Sequence, residues 1–200
     1  KVNFEPEWSR AVIASHAPLF QAKFLLEMGE HFRQQHLGEG TKDHKTWPEI
    51  PADVCNFSQS VELAHGDKCW GFDLPLLFTP DKWNGKNIAI VSQDPLRTPK
   101  RDGNRFTVAT PWGLSNRAME NKASNKTFRP TIDMLLERGF GVYLTDNAKL
   151  YFHSKNRGKW ASTSTTEAMV LRDEIHSLSP VLCISLGGSA AGGLGQFWEG

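Results

Sequence analysis

Asp94 is the residue whose type and setting most suggest chemistry. It follows Ile88 to Val91, an apolar run of the kind that forms a strand buried in a parallel sheet. Ser92 and Gln93 lead into it, and Pro95 behind it removes a backbone donor and forbids further pairing. Open α/β sheets bind their ligands outside the carboxyl ends of central strands. A long polar loop comes next, then Thr110-Pro111-Trp112-Gly113. The combination reads as an acid facing a cleft, a loop that attracts phosphate and an aromatic platform. An ordinary Asp-Pro turn is the plain structural alternative.

The charge pattern bears on the partner. Net charge is +1, which is neutral on the matter. Its distribution is uneven: Arg97, Lys100, Arg101, Arg105, Arg117, Lys122, Lys126 and Arg129 face only Asp102 and Glu120 between Pro95 and Ile132. A second basic stretch holds Lys149, Lys155, Arg157 and Lys159 without an acid. Both follow predicted strands, so they belong at one edge of the sheet. A basic rim around a cleft gathers phosphodiester backbones. The plain alternative is a pair of solvated loops.

Those residues need a scaffold. Two hundred residues suit a single domain with a sizeable core. Hydrophobic content of 39% and charged content of 22% are those of a globular chain. No apolar run approaches the roughly 20 residues of a membrane helix, and no signal peptide is read. Cys55, Cys69 and Cys183 lack the spacing of a disulfide framework or a metal quartet. A reducing compartment is expected, cytoplasmic or, in a eukaryote, nuclear, and neither membrane nor secretion.

Phe20, Phe24, Met28 and Phe32 recur every four residues, predicting a helix from about Pro18 to Gln35 with a broad apolar face. Residues 1–86 read as helical and irregular, and residues 87–200 as a parallel-sheet core. Lys68 to Phe72 leaves strand and loop both open. Ile132, Leu135 and Leu136 mark a short helix closed by Gly139. Phe140 to Thr145 is a second strand. Ser164 to Glu167 forms a capping box before the stripe Ala168, Leu171, Ile175 and Leu178. Val181 to Leu186 is a third strand, and Gly187-Gly188-Ser189 opens a last helix whose first amides can meet a phosphate. Alternating strands and helices predict an α/β fold: a three-layer α/β/α sandwich around a short, mainly parallel, four-stranded sheet with an N-terminal helical segment.

Several of these stretches resemble one family. Gln93-Asp94-Pro95 behind its strand is similar to the G-Q-D-P-Y motif of uracil-DNA glycosylases, with Ser92 for Gly and Leu96 for Tyr. Thr110-Pro111-Trp112-Gly113 resembles the P-F-G that follows. Val142 to Lys149, with Asn156-Arg157, looks like V-Y-I-T-N-x-x-K…N-R. Ser179 to Gly187, with Ala190, Ala191 and Leu194, resembles P-x-V-I-V-x-L-G…A-A…L. The likeness spans about residues 87 to 194, in order.

The resemblance implies a monofunctional glycosylase of base-excision type that hydrolyses the N-glycosidic bond of a deaminated base, uracil or related, in DNA. It implies a flipped-out base, no metal, no cofactor and a monomer. It assigns Asp94, with Gln93, to catalysis; Trp112, Phe106, Asp146, Asn147 and Leu96 to the base; and Arg97, Lys100, Arg101, Arg105, Lys149 and Ser189 to phosphates. Three departures matter. Asp146 stands where the family has Asn, and an ionised carboxylate only accepts hydrogen bonds. Either Asp146 is protonated, or Asn147 reads the base, or the base presents an amino group. Leu96 replaces the Tyr that excludes thymine. No His-Pro-Ser motif occurs, and the expectation is a C-terminally incomplete chain. Two other readings are a catalytically silent member that binds DNA or protein, and a small-molecule nucleotide or nucleoside hydrolase.

Overall fold

A computed structural model describes residues 6–37, 69–93, 107–115, 123–152 and 165–197. In chain order the elements are α1 (Pro6–His16), α2 (Ala22–Leu37), β1 (Cys69–Asp73), β2 (Leu76–Phe78), β3 (Asn87–Ser92), β4 (Thr107–Ala109), a 3-10 turn (Pro111–Gly113), α3 (Ala123–Glu137), β5 (Gly141–Asp146), β6 (Leu150–Phe152), α4 (Thr165–Leu178), β7 (Leu182–Ser185) and α5 (Gly188–Leu194). The chain mixes helix and sheet, an α/β pattern.

The main sheet has the order β2-β5-β3-β7. β3 runs parallel to β5, from Asn87 opposite Gly141 to Ser92 opposite Asp146. It also runs parallel to β7, with Ile88 opposite Leu182. β2 is antiparallel to β5. A second sheet, β4-β1-β6, pairs β1 in parallel with β4 and antiparallel with β6. The chain passes between the two sheets at Leu74-Pro75 and at Asn147 to Lys149. There the Asp73 N–H donates to the Lys149 carbonyl at 3.0 Å and the Leu74 N–H to the Ala109 carbonyl at 2.9 Å. The three strands expected from apolar runs are β3, β5 and β7. The antiparallel edge β2 comes from the segment read as irregular, and β1 decides for strand at Cys69 to Phe72.

Alternation along the strands separates two cores. Ala89, Val91 and Tyr143 join Val12 of α1, Phe24 and Phe32 of α2, Leu171 and Ile175 of α4, and Phe20 between α1 and α2. Ile88, Ile90, Val142 and Leu144 join Ile132, Leu135 and Leu136 of α3. Burying each such side chain contributes about 1.5–3 kcal/mol, which outweighs helix propensity as the reason these segments are helical. Among the described strands β7 is an edge: Leu182 is 49% exposed and Val181 55%.

Local chemistry sets the ends. α3 is longer than its apolar triplet suggests and runs through Pro130. Pro130 and Lys126 are exposed, so water can meet the carbonyl whose helical donor the proline lacks. Gly139 ends the helix at φ +84°, with its N–H on the Leu136 carbonyl at 2.9 Å and the Phe140 N–H on the Leu135 carbonyl at 3.1 Å. α4 ends instead on Ser179 at φ 46°, followed by Pro180.

Candidate functional site

The carboxyl ends of β3, β5 and β7 leave the main sheet at one edge. Beyond the last register pair, the Asn147 N–H donates to the Ser92 carbonyl at 2.8 Å and the Ala148 N–H to the Gln93 carbonyl at 3.1 Å. On the other side the Leu186 N–H donates to the Val91 carbonyl at 2.8 Å. These bonds bring together Ser92-Gln93, Asp146-Asn147 and Leu186-Gly187. Gln93 is exposed, and its Oε1 lies 3.4 Å from where a Gly187 side chain would begin. Asn147 is buried against α5, so a Cβ at Gly193 would overlap its amide.

Ser92 and Asp146 face each other across the strands, and the Ser92 hydroxyl donates to Asp146 Oδ1. Both are buried, Asp146 to 3% exposure. Alternation along β5 puts Asp146 on the same face as Val142 and Leu144, the face covered by α3. Trp112 packs against that same apolar cluster, its ring 4.7 Å from that of Phe128 at 36°. Trp112 has φ 54° and ψ 6°, a left-handed conformation that costs a residue other than glycine roughly 1–2 kcal/mol. The Gly113 N–H on the Thr110 carbonyl at 2.8 Å, and the Leu114 N–H on the Pro111 carbonyl at 3.2 Å, close the turn around it.

Behind this edge lies a buried charge cluster. Lys149 Nζ donates to Glu174 Oε2 at 2.7 Å and to the Thr145 hydroxyl, which in turn donates to Glu174 Oε2 at 2.8 Å. His16 Nε2 lies 3.3 Å from Glu174 Oε1. Lys149, Glu174 and His16 are each 0% exposed. The Lys149 N–H also donates to Glu167 Oε1 at 2.8 Å, tying the turn after β5 to α4. Burial pushes the Glu174 carboxyl above its ordinary value, against the pull of Lys149 and Thr145 and with a push from Asp146. Burial, with Lys149 adding, holds the His16 imidazole well below its ordinary value. Burial and Glu174 raise the Tyr143 phenol. The cluster therefore holds a buried cation against a carboxylate with a neutral imidazole beside them.

This arrangement corrects one expectation. The resemblance assigns Lys149 to a phosphate, but its ammonium lies inside the core and pairs with Glu174 and Thr145. A phosphate outside the protein cannot reach a group with no exposed surface. Ser189 is the second residue of α5 and is half-buried; the Gly187 cap makes no side-chain bond. Asp94, Leu96, Arg97, Lys100, Arg101, Arg105 and Phe106 lie outside the described residues, so from the expected set the structure gathers Gln93, Asp146 and Asn147, with Trp112 packed on the apolar cluster of the face that Asp146 shares. Glu174 and His16 were missed. Both carried a signal, since Glu174 falls in phase with Leu171, Ile175 and Leu178, and His16 with Val12 and Leu19, on stripes that bury everything else. A charged or polar residue in the phase of a core stripe marks a buried network. Among the described residues no cluster of three His, Cys, Asp or Glu is arranged for a metal, and no helix is long and apolar enough to cross a membrane. No protein-family model, curated protein or solved structure matches the chain.

Proposed function

We propose that this protein is a DNA glycosylase of the uracil-DNA glycosylase type, hydrolysing the N-glycosidic bond of a deaminated base in DNA. One observation carries the reading: three strand ends in the order β5-β3-β7 converge with Gln93, Asp146 and Asn147 at one edge of the sheet. Asp94 is the next residue along the chain from Gln93, and Trp112 packs on the face that Asp146 shares. The finer architecture that goes with this reading is a three-layer α/β/α sandwich, with DNA as the partner of a monomer.

The chemistry asked of these residues is modest. Breaking the C1′–N bond leaves the electron pair on the departing base and a cation-like sugar. A carboxylate at Asp94 stabilises that cation and orients the water that adds to C1′, releasing a proton to solvent or to the base. Such electrostatic stabilisation is worth about 3–4 kcal/mol in well-studied sites. The base must leave the stack to be reached, and an indole such as Trp112 offers a π-face for it. Arg97, Lys100, Arg101 and Arg105 supply charge for the flanking phosphates.

The Ser92 hydrogen bond on Asp146 favours a second reading, a silent member of the fold that binds DNA, because that carboxylate already serves a neighbour. Asp94→Asn separates the two. Under the glycosylase reading it retains salt-sensitive oligonucleotide binding and loses base release by hundreds-fold. Equal release by both proteins removes Asp94 from the mechanism, and binding with no release by either supports the silent module.

A further inference from the structure

We infer that α2 belongs to the site: Gln35, with Ser115 and Thr110, forms a polar clip that holds Trp112 in its left-handed conformation and fixes where its ring is presented. Thr110 and Ser115 bracket the turn and are 1% and 0% exposed. The Thr110 hydroxyl donates to Ser115 Oγ at 3.0 Å, and the Ser115 N–H returns to Thr110 Oγ1 at 3.4 Å. The Ser115 hydroxyl then donates to Gln35 Oε1 at 3.4 Å, across 80 positions of sequence. Gln35 Nε2 donates to His31 Nε2 at 2.9 Å. An amide N–H can only donate, so His31 accepts there and is neutral, in keeping with the lowering of its pKa by burial. The side-chain links run from the turn to the helix, with the Ser115 N–H alone returning to Thr110, and every member of the chain has its partner.

A buried polar chain of this kind stabilises little compared with apolar packing, because each group gives up water to join it. Its value is geometric. It terminates on a turn whose central residue is a tryptophan in sparsely populated backbone space, between Pro111 and a Gly113 at φ 67°. Such strain persists only where the surroundings over-determine it, and it concentrates at ligand sites. Apolar side chains at the same places would bury as well but would leave the turn free to relax. Gln35 and Ser115 are thus positioning residues for Trp112. Their use in catalysis rests on the glycosylase reading; their hold on Trp112 does not.

Gln35→Met keeps the length of the side chain and removes both hydrogen bonds, whereas Gln35→Glu keeps the acceptor for Ser115. Ser115→Ala, the smallest change, serves should Gln35→Met not fold. The first readout is acrylamide quenching of Trp112 emission, taken as the difference from Trp112→Phe. Gln35→Met or Ser115→Ala should raise quenching severalfold, and Gln35→Glu should stay near wild type. The second readout is base release from uracil-containing oligonucleotides. Gln35→Met should raise KM about tenfold, the loss expected when one stacking ring is displaced, with kcat little changed. It should have no effect in a Trp112→Ala background. Unaltered quenching in both clip variants, or an equal KM loss with and without Trp112, overturns the inference. Altered quenching with no base released by wild type upholds the clip and counts against the glycosylase instead.

Discussion

At the scale of single residues the protein is organised by a few buried groups. His16 is held neutral, so below about pH 6.5 the unfolded chain binds a proton that the folded protein refuses. Stability should then fall with acid by up to about 1.4 kcal/mol per pH unit, and His16→Gln should flatten that slope. Glu174 titrates in the opposite sense in both proteins, so the comparison of urea midpoints from pH 7.5 to 5 isolates His16. Lys149→Met leaves the Glu174 carboxylate buried without its cation and should cost about 3–5 kcal/mol near neutral pH. The loss should shrink as pH falls and Glu174 takes up a proton. Asp146→Asn replaces an acceptor with a group that also donates. If that residue reads the base, release should shift toward bases offering a carbonyl oxygen, and an unchanged spectrum would leave it without a reading role.

At the scale of elements, how much could be read beforehand depended on how far the pattern was local. β3, β5 and β7 are apolar runs that end in polar groups, so their existence, and the strand ends beyond them, follow from sequence. The stripe Leu171, Ile175 and Leu178 is buried as its spacing requires. β1 and β2 were not legible, because a five-residue and a three-residue strand set among prolines become strands only through partners far along the chain. The length of α3 was hidden by Pro130, whose lost hydrogen bond costs little on a solvent face. The site divided along the same line. Gln93, Asp146, Asn147 and Trp112 stand at element ends that a pattern marks. Lys149 was misread because nothing local says that a lysine after a strand faces Glu174 on a helix 25 positions later. One element boundary makes a direct test. Gly139→Ala should cost roughly 1–2 kcal/mol of stability in urea titration, since its φ of +84° disfavours a side chain and a Cβ would press on the Lys82 carbonyl at 3.1 Å.

At the scale of the whole molecule, residues alternating along β3 and β5 divide between two apolar cores. The first core is threaded by the Lys149–Glu174–His16 cluster, which joins α1, α4 and the turn after β5. The second carries Trp112 on its margin. The site is therefore a junction between the cores, supported from one by ion pairing and from the other by ring packing. Its central claim is chemical. Base release from labelled oligonucleotides carrying uracil, hypoxanthine, xanthine or a thymine mispair, in single and double strands, tests it most directly, with Asp94→Asn alongside. The account predicts release of at least one base by the wild-type protein and a loss of hundreds-fold in the variant. Silence across the whole panel, or release that Asp94→Asn leaves intact, would contradict it.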